Sequence, residues 1–333
     1  MNPGPAPDAG PALALGLDIG GTSTRALVVG LDGTRRGAGR AGGANLTSHS
    51  PAKALAAVAS ALDQALAGVD AAQVVSAVIG TAGDRNLTVP EIADALWQTW
   101  TAAGLTCDYE VVSDAAVAFA AGASAPGGTL VLSGTGALVA RMEGVRLAHV
   151  VDGHGWLLGD LGSGFWIGHQ AVRNVLRSFD VQQAPGQLGR AVLEALTGSP
   201  ETDLSRADSS ELVRRVHERP PIALAELAPL VTRLSGDDPG AADILDRAAG
   251  HLLDAATIVR PEADVSPLVL AGSLLTTDTP LAGRVRPQLA DTWPDAQIGV
   301  ALDGAAGAAW IAATRIGEWD DAARTELHRR LFA

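Results

Sequence analysis

Two segments of this chain join an apolar strand to a tight Gly/Thr turn, a combination suited to holding phosphate. The first runs Leu15-Gly16-Leu17-Asp18-Ile19-Gly20-Gly21-Thr22-Ser23-Thr24-Arg25 into Ala26-Leu27-Val28-Val29 and closes at Asp32-Gly33. The second runs Thr129-Leu130-Val131-Leu132-Ser133-Gly134-Thr135-Gly136 into Ala137-Leu138-Val139-Ala140-Arg141 and closes at Glu143-Gly144. In such turns successive backbone N–H groups converge on an anion, and Thr or Ser hydroxyls add donors. A single Gly-rich hairpin is most often an ordinary turn. A matched pair suggests two duplicated domains that face one another across a nucleotide.

Three carboxylates stand at positions where they could act on that phosphate or its acceptor. Asp18 ends the first strand, just before Gly20-Gly21-Thr22. There it could bind Mg²⁺ and neutralise charge on a transferring phosphoryl group, or simply cap the turn. Asp114 follows Val111-Val112-Ser113 and heads a helix. It could accept a hydroxyl proton as general base, against the bland alternative of an aspartate serving as helix cap. Asp160 lies in Gly153-His154-Gly155-Trp156-Leu157-Leu158-Gly159-Asp160-Leu161-Gly162-Ser163-Gly164. Glycines so dense beside Trp156, Phe165 and Trp166 suggest close backbone approach to a ligand such as a sugar. Asn45, after Gly42-Gly43, offers an amide that both donates and accepts. His154, His169 and Cys107 show no metal-ligand spacing.

The elements around these residues alternate strand and helix, which makes the chain α/β. Ala12–Leu31 read as a hairpin, and Ser50-Pro51 as a helix start with Leu55, Val58, Leu62 and Leu66 on one face. A strand at 74–79, a helix at 91–103, a strand at 109–112 and a helix from Asp114 complete the first half. The Ala, Gly, Ser and Pro stretch at 122–128 marks a domain boundary ahead of the second hairpin. Beyond it come a strand at 146–151, the Gly-rich loop and a helix at about 165–179. Mainly helical sequence follows to 240, then a helix at about 243–259. The chain closes with strands at 267–271 and 298–302 and helices at 305–314 and 318–331. This gives a disordered N-terminus at 1–11, an N-terminal domain at 12–123 and a larger C-terminal domain at 124–333, whose last helix is free to pack back on the first domain.

Composition removes several alternatives. Lys53 is the sole lysine and no Gly-Lys-Ser/Thr surrounds it, so neither a Walker loop nor the strand lysine of protein kinases is present. Neither Gly16–Gly21 nor Gly134-Thr135-Gly136 has the glycine spacing and following helix of a dinucleotide fingerprint. A net charge of −13 argues against nucleic acid and anionic membrane as partners. No window is apolar enough to cross a bilayer, and the N-terminus lacks a basic region before its apolar run. With one cysteine the chain fits a reducing cytoplasm.

Together these segments resemble the actin/Hsp70/sugar-kinase superfamily, and within it the BadF/BadG/BcrA/BcrD-type branch that contains N-acetylglucosamine kinases. The resemblance implies two ribonuclease-H-like domains around a nucleotide cleft, with ATP and Mg²⁺ as cofactors. Gly20, Gly21, Thr22, Ser23 and Arg25 resemble the first phosphate loop, and Gly134, Thr135 and Gly136 the second. Gly272 and Ser273 resemble the adenosine segment, and Asp303-Gly304 the start of a connecting helix. Asp18 matches the metal position and Ser113-Asp114 the catalytic aspartate. Asn45, Asp114, Gly136, Gly153, His154, Gly155 and Asp160 match the sugar site. The chain departs from the family pattern at Leu161, where glutamate is usual, and at Ala137-Leu138, where serine is common.

The implied activity is phosphorylation of the 6-hydroxyl of an amino sugar, above all N-acetylglucosamine, by a homodimer. Glucosamine or another hexose is the alternative acceptor. An iron–sulfur activator of a dehydratase from the same branch needs thiolates that Cys107 alone does not supply. A non-catalytic sugar-sensing ATPase that keeps the fold is a further alternative; sensors of the related repressor type carry an N-terminal DNA-binding domain, for which the eleven residues before the first strand are expected to leave no room.

Overall fold

The computed structural model describes residues 12–46, 49–82 and 89–333. The disorder expected at 1–11 lies outside them. Two compact units emerge. The first holds the described residues up to Gly128 together with Met142–Leu147 and Gly299–Ala333, and the second holds Thr129–Arg141 and Ala148–Ile298.

The first unit is built on strands β1 (Leu13–Ile19), β2 (Ser23–Gly30), β3 (Arg35–Gly42), β4 (Val74–Thr81) and β5 (Tyr109–Ser113), in the order β3-β2-β1-β4-β5. β2 runs antiparallel to β1 and β3, whereas β1, β4 and β5 are parallel. Helices α1 (Pro51–Ala65), α2 (Pro90–Ala102), α3 (Asp114–Gly122), α11 (Gly304–Ala313) and α12 (Asp321–Leu331) complete it. Leu13, Leu15, Leu17 and Ile19 alternate along β1 into a core with Val58, Leu62, Leu96 and Trp100 of α1 and α2. The other face of β1, bearing Ala14, Gly16 and Asp18, lies beneath α11.

That second face depends on glycine. A Cβ on Gly16 would fall 2.1 Å from the Ala309 nitrogen and 2.3 Å from the Ala305 carbonyl oxygen, both backbone atoms of α11. Gly307 meets α3 in the same way, a Cβ there falling 2.1 Å from the Val117 carbonyl. Ala305–Ala313 are buried without exception, so α11 has no polar face to betray its packing direction.

β3 is absent from the sequence-based reading. Arg35-Arg36-Gly37-Ala38-Gly39-Arg40-Ala41-Gly42 shows no apolar alternation because the face that meets α1 is made of glycine. A Cβ on Gly37 or Gly39 would stand 1.9 Å from the carbonyl oxygens of Ala65 or Ala61. Backbone contact here takes the place of side-chain packing.

The second unit centres on β6 (Gly127–Ser133), β7 (Ala137–Glu143), β8 (Arg146–Asp152), β9 (Leu268–Ala271) and β10 (Ile298–Val300), ordered β10-β9-β6-β7-β8 with β6 and β9 parallel. Its helices include α4 (Gly164–Asp180), α5 (Gln187–Thr197), α6 (Arg206–His217), α7 (Ala228–Leu234), α8 (Pro239–Val259), α9 (Ser273–Thr276) and α10 (Ala282–Thr292). Ile167, Val175, Leu188, Leu245, Leu270 and Leu289 are fully buried within it. Arg260 is enclosed there too. Its guanidinium donates to Thr129 Oγ1 at 3.1 Å and to the Asp264 carbonyl at 2.7 Å, and it pairs with the Asp264 carboxylate at 3.4 Å. This anchors the start of β6, which leads into the second Gly/Thr turn. Among the described residues no helix is long and apolar enough to cross a membrane.

Because the clash at Gly16 is with backbone on both sides, no rotamer change relieves it. Gly16→Val is expected to destabilise the protein by about 3 kcal/mol or more, through overpacking of a rigid contact. Urea unfolding followed by circular dichroism checks this. A loss below about 1 kcal/mol would show that α11 can lift from β1.

Candidate active site

In the first unit the β1–β2 turn is drawn tight by the Gly20 N–H, which donates to the Ser23 carbonyl at 2.9 Å. The Gly20 carbonyl in turn accepts from the N–H groups of Ala44 and Asn45, at 3.1 and 3.2 Å. Those bonds bring Asn45, which is buried, next to the turn. A Cβ on Gly43 would lie 2.0 Å from the Gly21 carbonyl, so the 43–45 backbone rests directly on the turn. The Gly21 carbonyl also accepts from His49 Nε2 at 2.7 Å. Gly21 and Thr22 themselves stay exposed, with Ser23 and Arg25 half-buried behind them.

Asp18 stands opposite Arg25 in the β1–β2 register. Its Oδ2 would lie 2.5 Å from a Cβ on Gly304, so the carboxylate presses on the first turn of α11. Burial pushes the Asp18 carboxyl up to about 6. The Arg25 charge opposes that rise, and the negative charges of Asp114 and Asp303 add to it. Three carboxylates thus share one electrostatic environment beside the first turn.

Asp114 occupies the first position of α3 but does not cap it. Ser113 does so, its Oγ accepting from the Ala116 N–H at 3.1 Å. Asp114 Oδ1 accepts from the adjacent Ala115 N–H at 2.9 Å. The helix-cap explanation for an aspartate here is therefore taken up by its neighbour. Asp303 is a member of the cluster that motif reading did not assign. It caps α11 through the Ala306 N–H at 3.3 Å and pairs with Arg35 at 3.2 Å.

In the second unit the β6–β7 turn closes with the Gly134 N–H on the Gly136 carbonyl at 2.9 Å. The Gly134 and Thr135 carbonyls accept from the Gly164 and Phe165 N–H groups, at 2.8 and 3.2 Å, so the turn is fastened to the start of α4. Gly272, at φ +83°, passes so close that a Cβ would lie 2.2 Å from the Ser133 carbonyl. Ser273 follows as the first residue of α9. Gly134–Gly136 and Gly272-Ser273 are therefore one assembly.

The Gly-rich loop joins it through Asp160. A Cβ on Gly136 would approach Asp160 Oδ2 to 2.9 Å. Asp160 is 8% exposed and sits at φ +56°, a left-handed conformation that costs a non-glycine residue of order 1 kcal/mol. Burial raises its pKa, as does the charge of Asp152, while backbone bonds from Gly155 and Ala137 and the His154 charge hold it back. Asp152 is the residue that composes the loop, and the sequence reading passed over it. Its carboxylate accepts the Asp160 N–H at 2.7 Å and the Leu161 N–H at 2.6 Å. The only signal was an Asp-Gly pair ahead of the loop. Gly153, His154 and Gly155 lie exposed on this loop. Phe165 and Trp166, expected beside a ligand, are core residues at 6% and 7% exposure, which leaves Trp156, 42% exposed, as the accessible ring.

Among the described residues no group of three or more His, Cys, Asp or Glu is arranged to hold a metal by itself. Mg²⁺ makes no such demand, since it keeps several waters and takes one or two carboxylates beside substrate phosphates. Asp18, whose negative form is penalised by burial and two like charges, is a group that a dication would satisfy.

This α/β architecture has counterparts among solved structures. A Chromobacterium violaceum structure provisionally named an N-acetylglucosamine kinase superimposes with a TM-score of 0.71, at 24% identity, covering 90% of this chain and 99% of the other. The chain matches the BadF/BadG/BcrA/BcrD ATPase family over residues 15–312 and belongs to that family. It is 27% identical over 218 residues to the N-acetyl-D-glucosamine kinase of Dictyostelium discoideum, covering 63% of this chain and 66% of that protein. It is 33% identical over 127 residues to the N-acetylmuramic acid/N-acetylglucosamine kinase of Clostridium acetobutylicum, covering 38% and 40%. The matches thus span less than two thirds of either relative's length.

A carboxyl with a pKa of about 6 in the fold and 3.8 as its ordinary value holds its proton more tightly folded than unfolded. Stability from this group is full below about pH 4 and falls as pH rises to about 6, by about 3 kcal/mol in all. In buffer free of divalent cations Asp18→Asn is expected to be the more stable protein at neutral pH, by up to about 3 kcal/mol, with the gain vanishing toward pH 4. Urea titrations across that range test it, and a variant no more stable than its parent at neutral pH contradicts it.

Asp152→Asn keeps the shape but replaces one of the two accepting oxygens with an NH2 donor, so one of the two N–H groups loses its acceptor. Amide exchange in the 153–161 segment is expected to accelerate about tenfold or more. Unchanged exchange would show that the loop is held by something else.

Proposed function

We propose that this protein transfers the γ-phosphoryl group of ATP to the 6-hydroxyl of an amino sugar, with N-acetylglucosamine as the preferred acceptor. The observation that carries this reading is the position of Asp114, relieved of capping by Ser113 and set beside Asp18 and the first Gly/Thr turn. The names of the two curated relatives support the same reaction class.

In this reading Asp114 accepts the proton of the acceptor hydroxyl as its oxygen attacks the γ-phosphorus, and ADP leaves. Gly20–Ser23 with Arg25 and Gly134–Gly136 present N–H and side-chain donors to the phosphates, while Gly272 and Ser273 border the adenosine. Asp18 would hold Mg²⁺, directly or through water, and the ion would neutralise charge on the phosphates. Asn45 takes sugar hydroxyls with its amide. Asp160 takes a hydroxyl pair with its two oxygens, helped by His154 and the Gly153 and Gly155 backbone.

The acceptor follows from the loop's surroundings. Leu138 packs on Gly153, where a Cβ would meet it at 3.1 Å, and Leu161 presents an apolar side chain beyond Asp160. Such a wall accommodates an acetamido methyl better than the ammonium of glucosamine, whose desolvation costs several kcal/mol unless it is paired. An anionic 3-O-lactyl sugar would meet the carboxylates of Asp152 and Asp160, and is expected to be the poorer substrate.

Two measurements test this. Asp114→Asn should fold normally and lose about 10²–10⁴-fold in kcat; a variant that keeps more than about a third of the turnover makes Asp114 dispensable as a base. An ADP-release assay over a sugar panel should place N-acetylglucosamine ahead of glucosamine by about tenfold or more in kcat/KM. Glucose or glucosamine in first place would overturn the acceptor while leaving a sugar kinase.

A further inference from the structure

A polar concavity lies in the second unit, on the flank of α4 that faces α8. It encloses about 480 Å³. Arg173 and Arg177 line it from successive turns of α4, and Arg247 lines it from α8. Asp180 and Asp243 are the acidic residues of the lining. In a chain of net charge −13, three arginines against two carboxylates is a local reversal of sign. Neither Arg173 nor Arg177 forms an ion pair among the described residues, and both are exposed.

Arg247 is already oriented. It donates to Gln170 Oε1 at 3.2 Å, pairs with Asp243 at 3.4 Å, and lays its guanidinium over the Trp166 ring at 5.1 Å. Gln170 is 9% exposed and Asn174 adds a second amide to the lining. Guanidinium forks match phosphate geometry through paired N–H bonds, and the amides suit hydroxyls.

The concavity also reaches the candidate site through covalent and hydrogen-bonded structure of the same unit. Trp166, on which Arg247 rests, belongs to the first turn of α4 and donates its N–H to Ser163 Oγ at 3.1 Å. The two residues before it, Gly164 and Phe165, are those bonded to the Gly134 and Thr135 carbonyls.

We infer that the α4–α8 groove binds a phosphate monoester dianion, at a site separate from the Asp160 loop. The shared chemistry has two sources, free phosphate and a phosphorylated sugar.

Isothermal titration calorimetry on the full chain, at about 0.1 M ionic strength, would use inorganic phosphate, glucose 6-phosphate and N-acetylglucosamine 6-phosphate as probes. Wild type is compared with Arg173→Ala/Arg177→Ala, with the double lysine variant and with Asp160→Ala. The expected result is binding of at least one probe, weakened about tenfold or more in the alanine pair, less in the lysine pair and little in Asp160→Ala. Comparable affinity for all three probes identifies free phosphate as the ligand; tighter sugar phosphates identify the phosphorylated sugar. Absence of binding to wild type overturns the inference. So does binding that survives the alanine pair, or that disappears with Asp160→Ala. Both arginines are exposed, so matching melting curves for wild type and variants keep the comparison sound.

Discussion

The candidate site of the first unit depends on helix α11 lying directly on backbone. With glycine at position 16 the helix reaches the main chain of β1, and with glycine at 307 it reaches the main chain of α3. Three elements that carry one carboxylate each are thereby drawn together. Asp18 ends β1, Asp114 begins α3, and Asp303 caps α11. Ordinary side chains at those crossings would separate the elements by several ångströms and dissolve the cluster.

That proximity has an electrostatic consequence. A carboxylate held away from water and near other negative charges resists ionisation, and the Asp18 pKa rises to about 6. Arg25 across the β1–β2 ladder relieves the stress in part, and Arg35 answers Asp303. An environment that penalises its own negative charge is suited to receive a dication and a proton from an acceptor hydroxyl. In the proposed reading, stability is given up locally for chemistry.

The second unit reaches order by another route. There the Gly134–Gly136 turn, the Asp152–Gly164 loop and the start of α4 are linked by backbone hydrogen bonds and by one carboxylate, Asp152, that accepts two N–H groups. Asp160 is held in a left-handed conformation by these surroundings, with its carboxylate against Gly136. The glycines that fill this loop are required where the chain turns, at Gly153, Gly155 and Gly162, all at positive φ. The dense Gly pattern was therefore a true signal of shape, whereas its aromatic neighbours were not: Phe165 and Trp166 serve the core.

Much of this was legible without coordinates. The two Gly/Thr turns, the alternation of strands and helices, and the order of Asp18, Asp114 and Asp160 follow from local rules of turn chemistry and periodicity, which act over a few residues. Other features were not legible. β3 carries no apolar alternation because glycine backbone packs on α1, and α11 is apolar all round, so no pattern announces which face meets β1. The cap of α3 passed to Ser113 because N-cap geometry belongs to the residue before the helix. Asp303 and Asp152 entered their sites through contacts made across the fold, which no spacing records. Sequence alone determined which segments could hold phosphate and carry acid–base groups, because those abilities reside in local backbone and side-chain type. Only tertiary structure decided which carboxylates share a field and which N–H groups a carboxylate collects, because both depend on how closely backbones approach.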